Sequence, residues 1–113
     1  SKAFSELTLM NKQIAYTVAS SVTKLSIGEL ADVELSKSFN TSYDKYLNMI
    51  YNKTASLIEA SAISASILAK KDTKSYGLYG KNLGLAFQMV DDILDITQDS
   101  KTLGKPAMLD FVE

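Results

Sequence analysis

The segment Phe87-Gln88-Met89-Val90-Asp91-Asp92-Ile93-Leu94-Asp95 places three carboxylates and one amide inside an apolar run. On a helix, Asp91 and Asp95 share a face about one turn apart. Gln88, three residues before Asp91, joins that face, and Asp92 lies beside it. Like charges so placed repel, and Asp is a poor residue for a helix interior. A divalent cation compensates both costs. Carboxylates without His or Cys favour Mg²⁺, with Mn²⁺ as the alternative. Mg²⁺ takes one or two carboxylates, several waters and the phosphate oxygens of a substrate. The spacing therefore points to a metal-bridged diphosphate. It equally fits a solvated acidic stripe, with Ile93, Leu94 and Ile96 facing a core. It does not fit the Ca²⁺ loop of an EF-hand, and no P-loop spacing accompanies it.

Two cationic positions match this chemistry. Lys53-Thr54 precedes the Ala- and Ser-rich stretch that starts at Ala55. An ammonium there can reach a phosphate, with a hydroxyl beside it. A surface Lys lying along its own helix is the other reading. Lys105 follows Gly104 in a loop after the acidic segment, where a Gly-Lys loop can close over a ligand.

The elements that must hold these residues are helices, because strand alternation and turn signals are scarce. A first helix is expected from about Phe4 to Leu35. Its apolar face is Leu7, Met10, Ile14, Val18, Val22, Leu25 and Leu30, and Gly28 marks a kink or a close approach. Thr41 with Asp44 resembles a capping pattern. A second helix follows from about Tyr43 to Lys71, with Leu47, Ile50, Leu57, Ile58, Ile63, Ile67 and Leu68 on its buried side. The third runs from about Thr73 to Thr97. Gly77, Gly80 and Gly84 give it a smooth groove for a neighbouring helix. Such a chain is all-α, with long antiparallel helices in a bundle.

Composition narrows the function. The 113 residues carry 12 basic and 13 acidic side chains, a formal net charge of −1, and no His or Cys. A zinc site, a disulfide framework and a His-activated nucleophile are excluded. Near-neutral charge gives no electrostatic case for nucleic acid or an anionic membrane. All the basic residues are Lys, so any anion is held by point charges. The most apolar stretch, Ala55 to Ala69, is interrupted by Ser56, Glu59, Ser61, Ser64 and Ser66. It falls short of the roughly 20 mainly apolar residues of a membrane span. No signal-peptide pattern is visible.

Gly84-x-x-Phe87-Gln88-x-x-Asp91-Asp92-x-x-Asp95 resembles the second aspartate-rich motif of the trans-isoprenyl diphosphate synthases, the polyprenyl synthetase family. Gly28-Glu29, Lys53-Thr54-Ala55 with Glu59-Ala60, and Leu103-Gly104-Lys105-Pro106 with Asp110 keep that family's order and spacing. The resemblance spans nearly the whole chain. It points to the bacterial medium- and long-chain members, octaprenyl diphosphate synthases among them.

The resemblance implies an all-helical enzyme with a deep cavity, cytoplasmic and homodimeric. It joins an allylic diphosphate to isopentenyl diphosphate with the help of Mg²⁺. Asp91 is then the principal ligand of one Mg²⁺, and Asp92 and Asp95 act through its waters or orient it. Lys53 and Lys105 hold the allylic diphosphate. The Thr54 hydroxyl and the Gln88 amide place partial negative charge near an allylic carbocation, and Gln88 also borders the diphosphate.

Several parts of the family pattern are missing. The first aspartate-rich motif, the Arg residues after it and the residues that set product length do not occur. Met108 stands where Gly is common. The expectation is therefore that residues 1–113 are the C-terminal part of a single synthase domain, inactive alone. The rival expectation is a non-catalytic partner subunit of a heteromeric synthase.

Overall fold

A computed structural model of the chain describes residues 11–37 and 42–98, together with positions 2, 5, 6 and 9. Among the described residues all regular structure is helical. Helix α1 spans Lys12–Leu35, α2 Tyr43–Ile50, a π-helical turn Tyr51–Ala55, α3 Ser56–Ala69 and α4 Thr73–Gln98. The backbone stays right-handed helical from α2 through the π turn into α3. These three form one rod, and α1 and α4 both pack along it.

Short polar residues set the boundaries. Asn11 is extended (φ −159°, ψ 121°), and its side chain accepts from the Ile14 N–H at 3.0 Å. Asn at this position satisfies one of the orphan amides of the first turn. The expected helix from Phe4 is thus interrupted at Asn11, although positions 2, 5, 6 and 9 are helical. Ser42, not Thr41, caps α2, accepting from the Lys45 N–H at 3.1 Å. Thr41 itself lies outside the described residues. The second expected helix ends at Lys70, which takes the left-handed conformation (φ 56°) that Gly usually supplies. Asp72 then accepts from the Lys74 N–H and the Ser75 hydroxyl. The Ser75 bond holds its carboxyl below the usual range.

The helices meet through small residues. A Cβ on Gly28 would sit 2.5 Å from the Lys53 backbone nitrogen, and one on Gly84 would sit 2.6 Å from Ala55 Cα. Gly80 lies against the backbone of Ile58 and Glu59, and Gly77 against the Ile63 side chain. The groove expected from the glycine spacing is therefore real, and α3 fills it. Among the described residues, the buried apolar side chains are Ile14, Ala15, Met49, Ile50, Ala55 and Ala60. Buried Ser21, Ser56 and Ser66 return their hydroxyls to carbonyls of their own helix turn, which satisfies them without a partner helix.

This corrects the expected apolar faces. Val22, Leu30, Leu57 and Leu68 are exposed, Leu30 by 69%. Leu7 and Met10 lie outside the described residues. At the closest approaches α1 presents Ser21 and Gly28 and α3 presents Ser56, Ala60 and Ser66, while Ile14 and Ile63 fill the wider gaps. Val22, Leu30, Leu57 and Leu68 point away.

Candidate functional site

The Lys53-Thr54 pair does not sit on a regular helix, as its sequence pattern suggests. It sits in the π turn, where the Ser56 N–H bonds the Tyr51 carbonyl five residues back. One extra residue in the turn rotates the side chains relative to an α-helix, and such turns concentrate at functional sites. Here it spreads three polar groups toward different neighbours. Tyr51, Lys53 and Thr54 each reach another helix.

Lys53 extends to α1, where its Nζ donates to Asp32 Oδ2 at 2.7 Å. The two side chains are about equally accessible, 33% and 38% exposed. The bond to Asp32 raises the Lys53 pKa above its ordinary value, against the opposing effect of burial. Lys53 is therefore a held, charged ammonium and not one lying along its own helix. Gly28 makes this possible. Its contact with the Lys53 backbone brings Asp32, one turn on along α1, within reach of the side chain.

Thr54 extends to α4. Its hydroxyl donates to Gln88 Oε1 at 2.7 Å, and Gln88 Nε2 donates to Asp92 Oδ1 at 2.9 Å. The other oxygen of Asp92 accepts from the Tyr46 hydroxyl of α2. Burial, and next the bond to Asp92, pushes the Tyr46 phenol above its usual pKa. The chain Thr54–Gln88–Asp92–Tyr46 thus joins the π turn, α4 and α2. It also fixes the Gln88 amide, with its oxygen toward a hydroxyl and its nitrogen toward a carboxylate.

The three carboxylates close the site. One oxygen from each of Asp91, Asp92 and Asp95 lies within 4.8 Å of the others. Asp91 and Asp95 are exposed and Asp92 is half-buried. All three offer hard oxygen, with no nitrogen or sulfur donor among them, which fits Mg²⁺ or Mn²⁺. The spacing placed Gln88 with Asp91 and Asp95; its hydrogen bond is instead to Asp92, at i+4. Lys105 lies outside the described residues.

Two residues escaped the sequence reading. Asp32 is four residues after Gly28, and Tyr46 is seven before Lys53. Those offsets are the only signals they leave. A further knot lies at Tyr51. Its hydroxyl accepts from Lys24 Nζ at 3.2 Å and donates to Glu59, and the Lys24 and Lys81 ammonium groups each stand 5.3 Å from its ring centroid. At that distance both attract the ring face. This knot ties α1, α3 and α4 to the π turn.

The sequence profile of the polyprenyl synthetase family matches residues 1–113. The chain belongs to that family. A prenyl transferase of Cyanidium caldarium is 46% identical over 107 residues, covering 89% of this chain and 32% of that protein. The crystal structure of octaprenyl pyrophosphate synthase from Helicobacter pylori superimposes with a TM-score of 0.81 at 50% identity. It covers 93% of this chain and 34% of that one. A polyprenyl synthase from Caulobacter crescentus, solved with calcium and isoprenyl diphosphate, gives a TM-score of 0.79 at 33% identity, over 94% of this chain and 33% of that one. The chain thus spans about a third of the length of these polyprenyl synthetase relatives. Among the described residues, no helix is long and apolar enough to cross a membrane.

Proposed function

We propose that the full-length protein is a Mg²⁺-dependent trans-polyprenyl diphosphate synthase, cytoplasmic and homodimeric, and that residues 1–113 form the C-terminal part of its single domain. The observation that carries this is the chain from Thr54 through Gln88 to Asp92, with bonds of 2.7 and 2.9 Å, which ends in a cluster of three aspartates and starts beside Lys53 in the π turn. A non-catalytic partner subunit would have no use for that junction. The partial span supports the domain assignment, as does the outer face of α4. Tyr76, Tyr79, Leu83, Phe87, Val90 and Leu94 recur every three or four residues there, all about half exposed or more. A stripe of that length calls for cover by further protein.

In this reading the substrates are an allylic diphosphate and isopentenyl diphosphate. The allylic carbon–oxygen bond breaks, and its electron pair leaves with the diphosphate. The double bond of isopentenyl diphosphate attacks the resulting allylic cation, a carbon–carbon bond forms, and the proton released passes to the diphosphate. Asp91, with Asp92 and Asp95, would hold Mg²⁺, which would supply positive charge to the leaving diphosphate. Lys53 adds its ammonium to the same oxygens, and Lys105 adds another. The Thr54 hydroxyl oxygen and the Gln88 amide oxygen offer partial negative charge to the allylic cation. Preorganised groups of this kind act strongly where water is excluded.

The test is Asp91→Ala in the full-length protein, followed by Mg²⁺-dependent elongation. A ligand that stabilises transition-state charge contributes several kcal/mol, so turnover should fall about 100-fold or more. Turnover within a few-fold of the parent would overturn the role of Asp91.

A further inference from the structure

Asp92 differs from its two acidic neighbours. Both of its oxygens already accept a hydrogen bond, one from Gln88 and one from Tyr46. Asp91 and Asp95 are more exposed than Asp92. Gln88 belongs to the same helix as Asp92, one turn before it, and follows wherever α4 goes. Tyr46 does not. It comes from α2, a helix that makes little other contact with α4. Its hydroxyl therefore fixes Asp92 relative to the rod that carries Lys53 and Thr54. Each carboxylate oxygen accepts more than one bond, so this contact leaves a lone pair on Oδ2 for a metal or for a metal-bound water.

We propose that Tyr46 is a positioning residue for the aspartate cluster. Its hydroxyl locks the Asp92 carboxylate and, through it, holds the Gln88 amide oriented toward Thr54. This deepens the proposed function and rests on it. Removing the hydroxyl frees Asp92 to rotate. The three carboxylates then present a less ordered donor set, and divalent metal binding weakens. Partners that orient metal ligands contribute about 10- to 100-fold to affinity, and Tyr46 holds one of three carboxylates, so the lower figure applies.

The experiment uses the full-length protein and its Tyr46→Phe variant, which keeps the ring and removes only the hydroxyl that bonds Asp92. Mn²⁺ binding is followed by calorimetry in the presence of inorganic diphosphate, and unfolding is followed in parallel. The variant should bind Mn²⁺ about tenfold more weakly. The Mg²⁺ concentration for half-maximal elongation should rise by a similar factor, with turnover recovered at saturating Mg²⁺. The unfolding midpoint in the absence of metal should move by only a few degrees. Equal Mn²⁺ affinity in the two proteins overturns the role of Tyr46 and leaves the functional reading standing. Reduced stability with unchanged metal affinity also overturns it, because that marks a packing contact only. No Mn²⁺ binding by the parent protein overturns the functional reading and this inference together.

Discussion

The two ends of α4 do opposite work. From Gly77 to Gly84 the helix is a packing surface: its glycines meet α3 and the π turn directly, and a Cβ at Gly84 would meet backbone at 2.6 Å. From Gln88 to Asp95 it is a polar surface, held by hydrogen bonds to Thr54 and Tyr46 on the neighbouring rod. The first end fixes the distance between helices. The second end uses that distance. Hydrogen bonds of 2.7 to 2.9 Å tolerate little displacement, so the glycines set the geometry in which the polar groups meet.

The largest structural effect should come from disturbing the packing end. In an exposed helix, Gly→Ala stabilises by about 1 kcal/mol. Gly84→Ala should do the reverse, because the obstacle is the Ala55 backbone and α4 must shift. The expected loss is about 1 to 3 kcal/mol, the usual cost of overpacking, read as a lower urea midpoint at unchanged slope. Gly77→Ala is the contrast. Its nearest neighbours are Cγ1 and Cδ1 of Ile63, which can turn aside, so its loss should be smaller. Equal effects at the two glycines would break the distinction between backbone and side-chain contact on which the comparison rests.

A smaller effect belongs to the polar end. Thr54→Val keeps the shape of the side chain and removes the hydroxyl that Gln88 Oε1 accepts from. Losing one partner of a part-buried hydrogen bond costs about 1 kcal/mol, more where the remaining group stays dry. Stability should fall by about that amount while the Gly84 contact stays intact. Elongation should fall further than stability, since Gln88 is then free to reverse its amide. A Thr54→Val variant with full activity would remove the hydroxyl from the mechanism.

The same contrast explains what could be read in advance. The glycine groove on α4 was legible because spacing along one helix fixes which residues share a face. The Gln88 and aspartate cluster was legible for the same reason. Asp32 and Tyr46 were not, since their partners lie 21 and 46 residues away and depend on how helices rotate against each other. The π turn left no trace either. A single added residue within a helical run does not disturb the hydropathy pattern enough to show. The exposed Val22, Leu30, Leu57 and Leu68 teach a third point. Periodicity marks an apolar face, but it does not say which face meets the neighbours present in this chain.

The smallest effect concerns Lys53 and Asp32, and its sign follows from the direction of one shift. Lys53 titrates above 10.5 in the folded chain, chiefly because it donates to Asp32. A raised cationic pKa gives stability that is fully present below the unfolded-state value. That stability disappears as pH climbs through the higher folded-state value. Asp32→Asn should therefore lower stability by a constant amount from neutral pH to about pH 10, and the gap to the parent should close above that. Both groups are about a third exposed, so solvent screening keeps the gap below about 1 kcal/mol. Added salt should shrink it further, because accessible charges are screened over about 10 Å at about 0.1 M ionic strength. Unfolding free energies of the two proteins, measured against pH at low and high salt, check both dependences. A gap that persisted unchanged past the titration of Lys53 would assign the loss to how the substituted amide packs at that position. The ion pair would then be only a way of aiming Lys53, with no part in holding α1 to the rod.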